Sequence, residues 1–180
     1  MTIPASDLLE GISLEILAKI IDTNPGFASP AFGYLAEYWL EQQLKDTPGV
    51  SSVEKIPDHS KMRGDFLVCY EGKDYVVESK CASSYRVRED KVHKDKIGSV
   101  TLAGTDSVEA DGVRTRSIER GRYDVLAICL KALTGGWDFV FINERYLPSA
   151  IGCPGRVRTS MVFTPGVTPF LFTELSKALA

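Results

Sequence analysis

Residues 63–80 read Arg63-Gly64-Asp65-Phe66-Leu67-Val68-Cys69-Tyr70-Glu71-Gly72-Lys73-Asp74-Tyr75-Val76-Val77-Glu78-Ser79-Lys80, and this stretch decides the fold. Two runs rich in β-branched and aromatic residues flank a polar, glycine-containing turn, which predicts a hairpin with strands over 65–70 and 75–80. A turn centred on Gly72-Lys73 pairs residues whose numbers sum to 145, setting Asp65 opposite Lys80 and Leu67 opposite Glu78. Side chains alternate faces along a strand, so Asp65, Glu78 and Lys80 are expected to share one. The diagonal Asp65/Glu78 separation would be about 7–8 Å or somewhat less. Three charged groups inside strands that otherwise read as core demand a chemical reason.

On the N-terminal side the period is helical. Leu8, Ile12, Ile16 and Ile20 recur at four-residue steps, predicting an amphipathic helix over 6–22 that Asn24-Pro25-Gly26 stops. A second helix is expected from a Ser29 cap and Pro30 to Asp46, closed by Thr47-Pro48-Gly49. Residues 50–56 can form a first strand. Beyond the hairpin, residues 123–130 are almost continuously apolar, which suits a central strand covered on both faces. Residues 137–142 read as a further strand, and 170–180 as a short closing helix. Residues 82–121 are polar and without a sustained period, the mark of a functional loop or of a helix whose pattern is not legible. The expectation is one α/β domain over 1–180, a central mixed sheet flanked by helices, with a loop-rich insertion at 82–121.

At 180 residues, 44% hydrophobic and 25% charged, the chain can bury a sizeable core, and collagen-like, coiled-coil and disordered classes are excluded. No apolar run approaches the roughly 20 residues of a membrane span, and the start lacks the pattern of a secretory signal. The expectation is an intracellular, cytoplasmic protein of a reducing compartment, away from membranes. The four cysteines (Cys69, Cys81, Cys129, Cys153) form no CxxC pair, so zinc-finger and thioredoxin-type chemistry lack support. Cys69 and Cys129 sit in apolar runs and read as buried thiols. A net charge of −3 argues against a uniformly basic surface, and any polyanion site must be local.

The Asp65/Glu78/Lys80 constellation has a chemical logic. Two carboxylates on one face repel each other, and a hard divalent cation resolves the conflict. Mg²⁺ suits two carboxylates and a carbonyl, keeps several waters and accepts phosphate oxygens. It stabilises charge on phosphorus and lowers the pKa of a bound water.

In these residues the chain resembles the PD-(D/E)xK nuclease superfamily, which includes restriction endonucleases and Holliday-junction resolvases. The carrying features are a Glu-bearing helix (Gly33 to Glu37), then Asp65, twelve intervening residues, and Glu78-Ser79-Lys80. The likeness extends over about residues 30–142. It implies a restriction-endonuclease-like αβββαβ core, Asp65 and Glu78 as metal ligands, the Ser79 carbonyl as a backbone ligand and Lys80 as the catalytic cation. It implies Mg²⁺ as cofactor, with Mn²⁺ as substitute. Helical geometry places Phe32, Ala36, Trp39 and Leu40 on the core-facing arc and Glu37 at its edge, while Glu41 lies about 40° further toward solvent. By the resemblance, Glu37 would bind a second cation or a metal-bound water. Asp58, in the literal Pro57-Asp58, is the alternative motif aspartate, but it sits in a loop whereas Asp65 opens a strand. The only histidines, His59 and His93, are too separated for an HNH-type or zinc-hydrolase site.

The basic component is local. Arg114, Arg116, Arg120 and Arg122 gather around a single Glu119, a phosphate-contacting candidate. Arg86, Arg88, Lys91, Lys94 and Lys96 are diluted by acids, and Tyr85 could stack on a base. The expected function is a Mg²⁺-dependent endonuclease hydrolysing DNA phosphodiesters, of restriction or junction-resolving type, acting as a homodimer. The alternatives are an inactive nuclease-fold DNA-binding or assembly subunit, and a nuclease for RNA or DNA ends.

Overall fold

The computed structural model describes residues 12–58, 60, 64–84, 98–102, 108–110 and 113–180. His59, Tyr85, Arg86, Arg88, Lys91, His93, Lys94 and Lys96 lie outside the described residues. The chain divides into two units, Met1–Leu35 and Ala36–Ala180.

In the first unit, helix α1 (Leu14–Thr23) is capped by Ser13, whose side chain accepts the Ile16 N–H at 3.3 Å. The helix therefore begins at Leu14 and not at the expected residue 6, because Ser13 is extended (φ −74°, ψ 159°) and ends it on the N-terminal side; residues 6–11 lie outside the described residues. Helix α2 (Pro25–Lys45) begins five residues before the expected Pro30, which lies inside it. The Asn24 carbonyl accepts the N–H groups of Phe27 and Ala28, so the helix initiates at Pro25, a residue suited to the first position. Pro30 lacks an N–H, so the Gly26 carbonyl has no i+4 donor, a loss one turn from the start that the helix tolerates.

The second unit is built on a mixed but mainly antiparallel seven-stranded sheet. Strand β1 (Val50–Lys55) pairs with β2 (Phe66–Tyr70), and β2 with β3 (Lys73–Ser84), all antiparallel. The β2–β3 turn is only Glu71-Gly72, with φ of 48° and 77°. Positive φ at both positions is the type I′ geometry, whose twist matches the strands it joins. The register is therefore Tyr70 opposite Lys73 and Phe66 opposite Val77, a sum of 143 and not the expected 145. A shift of two leaves every side chain on its expected face but changes its partner. Leu67 faces Val76, and Lys80 has no residue of β2 opposite it.

Strand β3 is longer than expected because it changes neighbours along its length. It pairs with β2 up to Val77, with β7 (Val125–Cys129) in parallel from Val77 to Cys81, and with β4 (Gly98–Thr101) from Ala82 to Ser84. Every residue of β7 is buried, as its continuous apolar run predicts. β8 (Phe139–Asn143) pairs antiparallel with β7, and β11 (Ser160–Phe163) with β4. Short hairpins join β5 (Val108–Ala110) to β6 (Val113–Thr115) and β9 (Ser149–Ala150) to β10 (Cys153–Val157). The segment read as a loop-rich insertion thus contributes strands β4, β5 and β6, which are too short to carry a visible period.

Helices do not flank this sheet evenly among the described residues. One face is covered by α2, through Ala36, Leu40 and Leu44, and by α4 (Leu175–Leu179), through Leu175 and Ala178. The other is covered mainly by strand and loop residues such as Leu102, Ile118, Val157 and Phe163, with Leu133 of the four-residue α3 (Lys131–Thr134). Trp39, expected on the core-facing arc, is 43% exposed and stacks on Trp137 with centroids 6.3 Å apart. Cys129 is buried, but Cys69 is only partly so. The parallel register also brings Cys81 against Cys129, a pairing that sequence spacing conceals. The interaction between the two thiols pushes Cys81 up and holds Cys129 down, to about 7. No helix among the described residues is long and apolar enough to cross a membrane.

Candidate active site

Asp65 stands immediately before β2, where that strand's pairing with β3 has stopped. Its backbone is still held: the Asp65 N–H donates to the Val77 carbonyl and its own carbonyl accepts from Ile56 N–H, both at 2.9 Å. Gly64, at φ +89°, lets the chain turn in tightly here, since a Cβ at that position would lie 2.3 Å from the Val76 side chain. The Asp65 side chain then takes over where the ladder ends. Its Oδ2 accepts the Ser79 backbone N–H at 2.7 Å. Both backbone groups of a strand residue point to the same edge, so the Ser79 carbonyl also faces the Asp65 side of β3.

Glu78 and Lys80 project from β3 on the face shared with Val76 and Ala82, and they form a hydrogen-bonded ion pair with each other. Lys80 is therefore partnered by Glu78, not by Asp65 as the expected register had it. Burial pushes the Glu78 carboxyl up, opposed by Lys80 and reinforced by the negative charges of Asp65 and Glu37. For Lys80, burial works to lower its value, but Glu78, Asp65 and Glu37 together outweigh it and the net shift is upward. Lys80 is a cation at neutral pH. The hydroxyl of Tyr123 is buried without a hydrogen-bond partner among the described residues; burial raises it, with Glu78 and Glu144 adding to the effect.

Glu37 approaches from α2 on the opposite face, and its carboxylate accepts a hydrogen bond from Lys55 at the end of β1. Burial raises Glu37, Lys55 lowers it and Asp65 raises it again. The same Lys55 ammonium lies 3.9 Å from Asp65 Oδ1 and 3.9 Å from Asp58 Oδ1. The two candidate motif aspartates thus converge on one lysine, but only Asp65, 22% exposed against 46% for Asp58, also holds β3. Lys55 was not singled out in the sequence. The available signal was its position at the last residue of a strand, between the helix and hairpin acids. Glu41, one turn further along α2, is paired with Lys45 at 2.6 Å.

The donor set consists of hard oxygens. Among the described residues, Glu37, Asp58, Asp65 and Glu78 gather around the Lys55 and Lys80 ammonium groups. Among the described residues no three His, Cys, Asp or Glu side chains are gathered into a ready-made metal cluster. Mg²⁺ does not need one, because it is commonly held by one or two carboxylates with water completing its shell. Exposed ion pairs stabilise a fold by only about 0–1 kcal/mol, so stability alone does not explain so many charges at one strand end.

The arginine cluster is divided in its roles. Arg120 donates to the Glu144 carbonyl at 2.9 Å, the Leu147 carbonyl at 2.6 Å and Ser149 Oγ at 3.1 Å, and so ties loops together. Arg122 lies 3.7 Å from Glu119, and Arg116 is exposed. Arg114 is in β6, and its side chain lies outside the described ones. No family model matches the sequence, and no curated protein or solved structure shows detectable similarity to it.

Proposed function

We propose that this chain is a metal-dependent nuclease that hydrolyses DNA phosphodiesters, built on a restriction-endonuclease-like core of the PD-(D/E)xK kind. The observation that carries the reading is the meeting of Asp65, Ser79 and Glu78 where β2 stops and β3 continues, with Lys80 on the same strand. The order of elements agrees with it: a Glu-bearing helix, a three-strand antiparallel meander, then a later strand parallel to the third. Asp65, Glu78 and the Ser79 carbonyl are the groups that would hold Mg²⁺ or Mn²⁺. When bound, such an ion supplies charge neutralisation at phosphorus and an acidified water.

The chain's own residues define the rest. Lys80, kept protonated by its carboxylate neighbours, serves as an electrostatic partner for negative charge building on the phosphate oxygens, not as a base. Ser79 N–H fixes the orientation of the Asp65 carboxylate, so its other oxygen is presented outward. Arg116 and Arg122 are the better-placed phosphate contacts, because Arg120 is engaged within the fold. One site per chain cuts one strand, so cleavage of a duplex calls for two copies.

The test is incubation of the protein with supercoiled plasmid and with DNA and RNA oligonucleotides, in Mg²⁺, Mn²⁺ or EDTA. Nicking or linearisation that requires the metal and disappears in Asp65→Ala and Glu78→Ala is the expected result. Lys80→Ala should lose at least about 10²-fold in turnover. The alternative is an inactive DNA-binding subunit of the same fold, in which Lys55 and Lys80 permanently neutralise the site's carboxylates. DNA binding without cleavage in any metal would favour it.

A further inference from the structure

Lys55 occupies the place in the site where a cation is needed. Its register opposite Phe66 sets its side chain on the α2 side of the sheet, and its ammonium rests 5.1 Å from the centre of the Phe66 ring. From there it hydrogen-bonds Glu37 and lies 3.9 Å from both Asp65 Oδ1 and Asp58 Oδ1. Lys80 serves Glu78 in the same way on the other face, but it belongs to the same strand as its partner. Lys55 instead connects three segments: the helix, the turn after β1 and the entry to β2.

We propose that Lys55 is a built-in counter-ion that holds the metal-free site together and competes with a divalent cation for the Asp65 and Glu37 carboxylates. The inference rests on the metal-binding reading above and adds a control element to it. With Lys55 lodged on Asp65, an incoming divalent ion meets a like charge a few ångströms away, and the ammonium must swing toward solvent. Its stem lies along Phe66 and its side chain is 35% exposed, so that movement is open to it. Neutralising Lys55 makes the site one unit more negative and removes the repulsion. A unit charge opposing a divalent ion at this range weakens binding by about tenfold even with water-like screening.

The test uses Mn²⁺ alone, titrated into the full chain by calorimetry and by electron paramagnetic resonance, without nucleic acid. Lys55→Met and Lys55→Gln should bind Mn²⁺ about tenfold more tightly than wild type. Lys55→Arg, which keeps the charge, should bind near wild-type affinity. Without metal the two neutral variants should melt below wild type, and Mn²⁺ should raise their melting temperatures more. The glutamine variant keeps an N–H donor for Glu37 and covers the case in which the methionine variant does not fold. Wild-type binding of Mn²⁺ with equal or weaker binding in both neutral variants would overturn the role of Lys55 and leave the metal site standing. Binding by none of the proteins would overturn both.

Discussion

The Asp65 carboxylate accepts the backbone N–H of Ser79 at 2.7 Å, taking the place of a strand neighbour that β2 no longer supplies. One side chain therefore completes the edge of β3 and presents a carboxylate oxygen to the candidate site. Its structural and chemical duties can be separated by substitution.

Asp65→Asn keeps a carbonyl oxygen for the Ser79 N–H, whereas Asp65→Ala leaves that donor without an acceptor. A part-buried unsatisfied N–H costs about 1–3 kcal/mol. Urea denaturation in EDTA should show that loss for the alanine variant and less than half of it for asparagine. Metal-dependent cleavage should fail in both. An alanine variant as stable as wild type would remove Asp65 from its place on β3.

The second prediction concerns pH. Glu78 is raised above 4.5, chiefly by burial, so the folded state holds that proton more firmly than the unfolded chain does. Its contribution to stability is present below 4.5 and is lost as pH rises through the folded value. Lys80 is also raised, from 10.5, so its contribution is present below that value and is lost only as pH rises through its folded value, in the alkaline range. Melting temperature in EDTA should therefore fall as pH rises above 4.5 in wild type and fall less in Glu78→Gln. Some slope should remain, because Glu37 titrates in the same direction. Mn²⁺ affinity should weaken on acidification at a higher pH than an ordinary carboxylate would give. Identical pH profiles for the two proteins would show that Glu78 is not a buried acid.

Glu37→Gln and Glu41→Gln form a matched pair on α2. Both are nearly isosteric, and Glu41 is engaged by Lys45 whereas Glu37 is engaged by Lys55. The Glu37 variant should lose most metal-dependent cleavage and the Glu41 variant little, read as initial rates on plasmid. The reverse would relocate the site, and two fully active variants would leave one built from the hairpin alone.

Salt dependence separates the arginines. Each phosphate contact adds about 0.9 to the slope of log K against log salt on duplex DNA. Neutralising Arg116 and Arg122 together should flatten that slope by up to about 2, with little change in stability. Arg120→Ala should instead lower the melting temperature, because it removes donors from the Glu144 and Leu147 carbonyls. An unchanged slope in the double variant would return Arg116 and Arg122 to ordinary surface roles.

The sequence made the hairpin, the buried strand at 125–129 and the helix bearing Glu37 legible, because each has a strong period or an unbroken apolar run. It misplaced the register, because Glu71 at positive φ is a rare choice for a type I′ turn and Gly72-Lys73 looked the better centre. It could not show Lys55 or the Cys81/Cys129 contact. Both depend on which strands lie side by side, and the parallel pairing of β3 with β7 bridges a long stretch of chain. The strands at 98–101, 108–110 and 113–115 were hidden for a different reason: three or four residues are too few to establish alternation. Arg120 was indistinguishable from its neighbours until its carbonyl partners, far along the chain, were in place.

The Glu71-Gly72 turn has a consequence for the order in which the molecule is made. A two-residue loop closes at the least entropic expense of any connection in the sheet, so β2 and β3 can zip together without waiting for the rest of the chain. Asp65 and Ser79 lie at the open end of that zipper and meet as soon as it is complete. The far side of β3 must wait for β7, whose arrival requires the whole crossover after Ser84 to be formed and closed. A chain still emerging from the ribosome with only its first half exposed can thus hold Asp65 against Ser79 while Glu78 and Lys80 remain wet. The environment of the candidate site, with its dry carboxylate and firmly charged lysine, is assembled last.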